Sequence, residues 1–246
     1  SALHHIELKN QEGICVELHR ILAEPFESGK MNRYLETLLA EFDKHVQRNN
    51  SWGVTLYQPT DAYHAFYLIV HMLQHFLRAG FGLKFLCDWT VFWNREIAAK
   101  EKETFLRLVR ESGTQGFVEV LTEACVHYLG LAAENVSFLL GKSDLQQLAE
   151  DFMEEVFVSG EFGHGAQERM VAMRGTGLAA YVREFHHQMH LNYPSAGKVF
   201  PLWPFLWVMT LARFIQNNRT VRKVKGLDIL KEARRRSKLI DKMKLF

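Results

Sequence analysis

The stretch that decides the fold is DAYHAFYLIVHMLQHFLRAGFGLKFLCDWTVFW, which occupies residues 61–93. Its apolar residues recur at three- and four-residue spacing, which is typical of amphipathic helices. Gly80 and Gly82 interrupt the pattern, and glycine commonly marks a turn between elements. The sequence therefore predicts two helices, 61–79 and 83–98, joined by a tight turn.

One face of the first helix is rich in imidazole groups. At about 100° per residue, His64, His71, His75 and Arg78 fall on one narrow stripe, and apolar residues such as Phe66 lie on the opposite side. This histidine ridge (His64, His71, His75 and Arg78) is either a solvated polar face or one wall of an anion- or metal-binding cleft. The His71-x3-His75 spacing suits a zinc pair, but no Glu follows His71 as it does in metalloprotease helices.

The second helix places two charged residues next to the ridge. Lys84 and Asp88 are four residues apart and share a helix face. They form either a simple surface contact or a site in which Lys84 holds a phosphate and Asp88 orients a histidine. We expect His71, His75, Lys84 and Asp88 to line one cleft, with Asp88 hydrogen-bonded to a ridge histidine or to Arg78.

The rest of the chain predicts a mainly α fold. Alternating apolar residues on both sides of Asn10–Gly13 indicate a β-hairpin in which Gly13 has a positive φ. Two strands alone are marginally stable, so the hairpin either packs on helices or is the edge of a larger sheet. We assign residues 1–25 to this hairpin segment and residues 26–246 to a multi-helix domain that ends in a basic helix. Further helices are predicted over 31–48, 101–112, 115–130, 144–158, 166–190, 202–217 and 227–243.

Two further groups of candidate residues lie outside the ridge. Strand alternation places Glu17 and His19 on the same face of the second strand. A divalent cation normally needs two or more carboxylates, and no partner for Glu17 is evident, so Glu17 is a metal-ligand candidate or an exposed strand residue. His186, His187 and His190 cluster on a predicted helix; nothing nearby completes a site, and we interpret them as surface residues.

Composition indicates a globular protein in a reducing compartment. Hydrophobic residues make up 48% and charged residues 24% of the chain, which excludes a disordered protein. The three cysteines, Cys15, Cys87 and Cys125, lie far apart and form no CxxC pair. No leader peptide is visible at the start. We therefore expect reduced thiols and a cytoplasmic location.

The C-terminal part combines a basic tail with an apolar helix. Residues 219–246 contain eleven Lys/Arg and three acids, whereas the remaining residues contain 19 basic and 25 acidic side chains. Such a tail suits anionic lipid, a nucleic acid or an acidic face of the same protein. Residues 199–215 are strongly apolar but too short to span a membrane, and Pro201, Pro204 and Arg213 interrupt them. They form a buried core helix or, as the less favoured alternative, a membrane-surface helix.

Together these motifs resemble the uncharacterised bacterial nucleotidyltransferase family. The resemblance covers nearly the whole chain in the same order, and its most specific part is the His/Gly/Asp segment. At Lys84 the family more often has Arg, and either residue keeps a cation there. The matching motifs are Val16-Glu17-Leu18-His19, Pro59-Thr60-Asp61-Ala62-Tyr63-His64, His71-x3-His75-Phe76, Gly80-x-Gly82-Leu83-Lys84-x-Leu86-x-Asp88, Gly160-Glu-Phe-Gly163 and Phe200-Pro201 to Arg213.

The resemblance implies transfer of a nucleotidyl group from a nucleoside triphosphate (NTP) to an acceptor that stays open: a sugar, an antibiotic-like molecule, a protein or a nucleic acid. Mg²⁺ would neutralise phosphate charge and activate the acceptor hydroxyl. The hairpin becomes a remnant of the nucleotidyltransferase α/β sheet, with Glu17 as a catalytic and metal-binding carboxylate and Asp88 as a second catalytic residue. The residues implied to bind substrate are His19, His71, His75, Arg78 and Lys84.

The same resemblance implies a Gly-Ser phosphate loop and a paired-Asp strand, neither of which is found in the sequence. We therefore expect a C-terminal part of such an enzyme that is inactive by itself. Two alternatives stay open. One is a non-catalytic helical interaction module docked by its basic tail, and the other is a helical metallohydrolase that uses the histidine ridge and Asp88.

Overall fold

Helices make up most of the structure, so the prediction of a mainly α fold is confirmed. None of the helices described is long and apolar enough to cross a membrane. The computed structural model describes residues 5–19, 23–51, 53–78, 81–141, 145–159, 182, 185–186, 188–190, 192–217 and 235–245.

The first element is the predicted hairpin, formed by the antiparallel strands β1 (His5–Lys9) and β2 (Cys15–His19). The side chain of Asn10 organises the turn, because its Oδ1 accepts hydrogen bonds from the backbone N–H groups two and four residues later, at 3.0 and 2.8 Å. Gly13 has a φ of +83°, as predicted, and this conformation strains residues that have a side chain. The apolar side chains of the hairpin that the structure describes are not covered by helices. Four of them are more than half exposed: Leu8, Ile14, Val16 and Leu18.

A second hairpin lies where the sequence predicts helix. Helix α1 (Gly29–Ala40) is followed by a 3₁₀ turn (Phe42–His45) and by the antiparallel strands β3 (Val46–Ser51) and β4 (Val54–Pro59). The prediction of helix as far as residue 48 is therefore wrong. The physical reason is exposure: most of this hairpin lies at the surface, so no buried face imposes the two-residue apolar period by which a strand is recognised.

The central part of the chain is helical, as predicted. The boundaries agree with the sequence patterns to within two residues, except that the second predicted helix ends at Trp93 rather than at residue 98. The helices are α2 (Asp61–Arg78), α3 (Leu83–Trp93), α4 (Ala99–Ser112), α5 (Gln115–Leu129), the short α6 (Ala133–Val136) and α7 (Gln146–Ser159).

One apolar core joins these helices. Helix α2 packs on α3 and α4, α3 packs on α5, and α5 packs on α7. Phe76 of α2 is fully buried, and its ring centroid lies 5.4–5.7 Å from those of Phe81, Phe117 and Phe152. Aromatic pairs at such distances add stabilisation beyond the area they bury. The position of α2, which carries the ridge, is thus fixed from several sides.

Two described pieces form the C-terminal part. Helix α8 (Trp203–Asn217) confirms the helix predicted over 202–217, and residues 235–242 are also helical. The helix predicted over 166–190 lies mostly outside the described residues. Met189 and Leu206 are buried but do not belong to the main core. The residues after 235 that do join it are Leu239, Ile240, Met243 and Leu245.

Candidate functional site

The histidine ridge lies along the seam between α2 and α3. Near the start of α2, the ring of His64 meets Phe92 edge-on, with centroids 5.3 Å apart. Farther along α2, the rings of His71 and His75 stack at 4.7 Å. Both rings contact Phe85 of α3, at 5.8 and 4.8 Å. The two helices are therefore antiparallel here, and two phenylalanines of α3 cover part of the stripe.

The stack of His71 and His75 is the most developed feature of the seam. Both side chains are half-buried, and the ring of Tyr67 meets His71 edge-on, at 5.9 Å between centroids. Aromatic and imidazole faces of this kind accept a planar group by stacking, and ring nitrogens donate to or accept from polar atoms. The stack is thus chemically suited to a ligand that has both a ring and hydrogen-bonding oxygens.

A polar network fixes the start of α2 near His64. Nη2 of Arg95 lies 3.1 Å from Oδ1 of Asp61, and Glu101 of α4 accepts a hydrogen bond from the backbone N–H of Ala62 at 2.9 Å. Burial lowers the pKa of His64, the charge of Arg95 lowers it further, and Asp61 acts in the opposite direction. The network therefore favours a neutral imidazole at this end of the ridge.

Lys84 and Asp88 are exposed and lie one turn apart on α3. Their positions on the helix flank Phe85, so both belong to the turns of α3 that contact the histidine stack. That these residues line one cleft, and that Asp88 accepts a hydrogen bond from a ridge histidine or from Arg78, stay predictions. Only the backbone of Arg78 is described.

Glu17 and His19 lie on β2, and only their backbone is described. The strand register pairs Glu17 with Glu7 and His19 with His5. Two carboxylate residues thus occupy positions directly opposite each other. Glu7 is absent from the sequence-predicted ligands, although the turn that begins at Asn10 already fixes this register.

The donor chemistry of this pair suits magnesium only in part. In the portion of the chain that the structure describes, no group of three or more His, Cys, Asp or Glu residues is arranged to hold a metal ion. Mg²⁺ takes oxygen ligands and often uses one or two carboxylates together with phosphate oxygens of its substrate and water. Two carboxylate residues at facing positions of a strand pair match that number of protein ligands.

A second imidazole group lies between α8 and the helical residues before it. Nε2 of His190 is 3.1 Å from Nε2 of His186, and Nε1 of Trp207 donates to Nδ1 of His186 at 3.3 Å. The ring of His186 also meets Trp203 at 4.5 Å. His186 and His190 are half-buried and hydrogen-bonded, so they are more than solvated surface residues, and His187 lies outside the described residues.

The hydrogen bonds of this group argue against a metal ligand. An indole N–H only donates, so His186 accepts at Nδ1 and its proton, assigned from the bonding pattern, is on Nε2. A metal at Nε2 would have to displace that proton, and a metal at Nδ1 would break the hydrogen bond from Trp207. Burial, and then the neighbouring His190, lower the pKa of His186, which again favours the neutral ring.

The described part of the basic tail packs on an acidic face of the same protein. Nη1 of Arg235 donates to Oε1 of Glu154 at 2.8 Å, and Nζ of Lys242 lies 3.5 Å from Oδ2 of Asp151. These pairs join residues 235–242 to α7. Of the three partners considered for the basic tail, the described residues contact an acidic face of the same protein.

Arg236 makes the buried contact of this interface. It is 7% exposed, its Nε lies 3.7 Å from Oε1 of Glu155, which is 5% exposed, and its Nη2 donates to the backbone carbonyl of Phe76 at the end of α2. The C-terminal helix thus binds both α7 and the helix that carries the ridge.

Comparison with known proteins places these features in one family. A protein-family model described as "Uncharacterised nucleotidyltransferase" matches residues 2–130, which is just over half of the chain. The matched segment contains both hairpins and α1 to α5, and therefore the seam and the Glu7–Glu17 pair. No curated protein and no solved structure matches the chain.

Proposed function

The chain belongs to the uncharacterised nucleotidyltransferase family, and from this premise we propose that its chemistry is the transfer of a nucleotidyl group from an NTP to an acceptor. The observation that carries the proposal is the family match, because the matched segment contains every predicted site residue from Glu17 to Asp88. In such a transfer the acceptor oxygen bonds to the α-phosphorus, the bond to the bridging oxygen breaks and pyrophosphate leaves. The protein contributes mainly positioning and electrostatic stabilisation.

Glu17 is proposed as a metal-binding carboxylate, with Glu7 as the neighbour that the strand register supplies. When bound, Mg²⁺ would neutralise phosphate charge and lower the pKa of the acceptor hydroxyl. His19, two residues farther along the same strand, is proposed to contact the substrate at this edge.

The seam is proposed to bind substrate. His71 and His75 would offer stacking and hydrogen-bonding surfaces, which agrees with their half-buried stack on Phe85. Lys84 would contact a phosphate as a point charge, aided by Arg78 at the end of α2. Their spacing along two antiparallel helices supports one shared binding region.

Asp88 is proposed as the second catalytic carboxylate. Its exposed position beside the histidine stack leaves it open to a hydroxyl of the acceptor. A carboxylate there would accept the proton as the acceptor oxygen attacks. The class of acceptor stays open within the proposal.

The proposal is tested by measuring NTP binding to the full chain calorimetrically, with and without Mg²⁺. We expect binding that Lys84→Ala weakens about tenfold, the loss expected for a charge-assisted contact of roughly 1.4 kcal/mol. Lys100→Ala removes another exposed lysine, on α4, and should leave binding unchanged. Absence of binding for all four NTPs, or equal losses in both variants, would contradict the proposal.

The role of Glu17 has a separate readout. Glu17→Gln should reduce the gain in NTP affinity that Mg²⁺ provides while leaving the metal-free affinity unchanged. Incubated with labelled NTP and candidate acceptors, the chain alone should incorporate no nucleotide, because the sequence lacks the paired-Asp strand that the family resemblance implies for a magnesium-assisted transfer. Robust incorporation that Glu17→Gln abolishes would overturn that expectation.

The two alternative functions differ in measurable ways. A metallohydrolase that uses His71, His75 and Asp88 would hold about one equivalent of a transition metal after purification. An interaction module would bind neither metal nor NTP. Metal content by mass spectrometry, together with the calorimetric result, distinguishes both from the proposed transferase.

We propose that the protein works in the cytoplasm. None of the three cysteines forms a disulfide, and Cys15 and Cys87 are exposed, which suits a reducing compartment. Cys125 is buried, and burial raises the pKa of its thiol to about 12, so it is an inert core residue.

A further inference from the structure

Helix α8 exposes a face that is as apolar as its buried face. Phe205, Val208 and Ala212 follow one another at the three- and four-residue spacing of a single stripe, and the first two are 64% and 65% exposed. We call Phe205, Val208 and Ala212 the outer face of α8. The expectation that this segment forms a buried core helix therefore holds for one side only.

The inner side of α8 is already used by its own surroundings. Leu206 and Thr210 are buried, and Oγ1 of Thr210 donates to the carbonyl of Leu206 at 2.8 Å. Trp203 and Trp207 contact His186 on the same side. Even the hydroxyl-bearing side chain thus points inward, while the aromatic and aliphatic groups of the outer face meet solvent.

Further exposed apolar side chains lie before α8 and along it. The chain approaches α8 through two short 3₁₀ turns whose apolar side chains are also exposed. An apolar patch of this kind on a folded protein usually marks an interaction site. The further exposed apolar residues are Val199, Phe200, Leu202, Met209 and Leu211.

The charge around this surface has one sign. From residue 185 to residue 227 the sequence contains six Lys/Arg and no Asp or Glu. Two of these cations are described and exposed: Lys198 precedes α8, and Arg213 lies on its later turns, where its guanidinium is 5.7 Å from the centre of the Tyr193 ring. Residues 235–242 differ, because their cations meet acidic residues of α7. Nothing in the sequence of residues 185–227 supplies a counter-charge to Lys198 and Arg213.

We propose that the outer face of α8 binds an anionic lipid surface, with the helix lying in the plane of the interface. Apolar side chains would enter the boundary between headgroups and acyl chains, and flanking cations would meet lipid phosphates. A second copy of the chain would bring like charges together. A nucleic acid would gain little from Val208 and Met209, because aliphatic side chains do not stack on bases as aromatic rings do.

The test measures binding of the full chain to vesicles by co-sedimentation. The hydrodynamic size of the protein without vesicles is measured separately to detect a dimer. The vesicles contain either phosphatidylcholine alone or equal parts of phosphatidylcholine and phosphatidylglycerol. We expect binding to the anionic vesicles that weakens as salt is added. Phe205→Glu should weaken this binding about tenfold or more, because an aromatic ring that would enter the lipid is replaced by a negative charge that the anionic lipid repels.

A matched control separates the outer face from exposed aromatic residues in general. Phe157 of α7 is 68% exposed, so Phe157→Glu makes the same chemical change elsewhere and should leave vesicle binding unaltered. Both positions are exposed, so both variants should fold, which a thermal melt checks.

Three results would overturn the proposal. One is the absence of binding to anionic vesicles. Another is equal binding to both vesicle types without salt dependence. The third is a concentration-dependent dimer that Phe205→Glu disrupts, which would identify a second copy as the occupant.

Discussion

Helices α2 and α8 are both rich in apolar side chains, yet only α2 buries nearly all of them. Phe66, Ile69 and Leu73 of α2 are at most 1% exposed, whereas Phe205 and Val208 of α8 are about two-thirds exposed. The two sequences look alike in spacing and hydropathy. The comparison shows that apolar periodicity identifies a helix and its faces, but burial depends on whether another element presents a complementary face.

The surroundings of the two helices explain this difference. Helix α2 packs on α3 and α4, and Arg236 of the C-terminal helix donates to its last turn. Helix α8 lies outside the main core, and its own Trp203 and Trp207 pack its inner side on Phe185, His186 and His190. Its outer face has no partner among the described residues.

The largest expected effect comes from truncating the core of α2. Phe76→Ala should lower the free energy of unfolding by about 3–5 kcal/mol, because it removes a fully buried ring and leaves a cavity. Phe205→Ala on the outer face of α8 should change it by less than about 0.5 kcal/mol. Chemical denaturation of both variants measures the difference. Equal losses would show that the outer face is covered in the folded protein.

The limits of α2, α4 and α5 could be predicted from sequence to within two residues, because their apolar spacing and their glycine boundaries coincide; α3 ends at Trp93, five residues before its predicted end, where no glycine marks the boundary. Gly113 and Gly130 end α4 and α5 with positive φ values of 74° and 71°, a common way to stop a helix. The β3–β4 hairpin could not be predicted, because its largely polar strands lie at the surface and carry no buried pattern. What covers each helix is a long-range property that local periodicity does not contain.

The next effect concerns the ion pair that fastens the C-terminal helix. Arg236→Met should cost about 3 kcal/mol, because it leaves Glu155 buried without this cation. The double variant Arg236→Met/Glu155→Met should recover much of that loss. Arg235→Ala, at an exposed pair with Glu154, should cost less than about 1 kcal/mol. A loss in the double variant as large as in the single one would contradict the role given to the pair.

A smaller effect should follow from a close approach of the chain end to α5. A Cβ at Gly116 would lie 1.9 Å from the backbone oxygen of Met243, so Gly116→Ala should displace the C-terminal turn at a cost of about 1–3 kcal/mol. Gly29 of α1 is the matched control, because a Cβ there makes an ordinary contact of 3.7 Å with Arg33. Gly29→Ala should be neutral or slightly stabilising.

Hydrogen exchange in these two glycine variants tests whether the two C-terminal pieces, α8 and residues 235–245, are independent. Gly116→Ala should raise exchange in residues 235–245 and leave α8 unchanged, since α8 does not depend on the main core. If exchange rises in both segments, the two C-terminal pieces are coupled and α8 is not an independent unit.

The candidate site was partly predictable in the same sense. A helical wheel groups His71 and His75 correctly, because both lie on one helix. It does not show that Phe85 of α3 covers them, since the contact depends on how two helices pair. Glu7 was within reach of the sequence through the hairpin register. The half-burial of His186 was not, because it depends on tryptophans about twenty residues away.

The smallest expected effect is the pH dependence of the unfolding free energy that arises from His64 of α2 and from His186 beside α8. The pKa of His64 is lowered by burial and then by Arg95, and that of His186 by burial and then by His190. Both rings should titrate below the usual value of about 6.5 when followed by NMR. Arg95→Gln should raise the pKa of His64, because it removes a cation and leaves Asp61 close by, and should leave that of His186 unchanged.

The sign of the stability effect follows from linkage. A histidine whose pKa is lower in the folded state binds fewer protons there than in the unfolded chain, so its stabilising contribution is complete above about pH 6.5. That contribution is lost as the pH falls through the folded-state pKa. His64→Gln should therefore flatten the decline in unfolding free energy just below pH 6.5, and His186→Gln should do so independently. If the two effects are not additive, His64 and His186 are energetically coupled. Helices α2 and α8 would then not be independent, which would contradict the comparison between them.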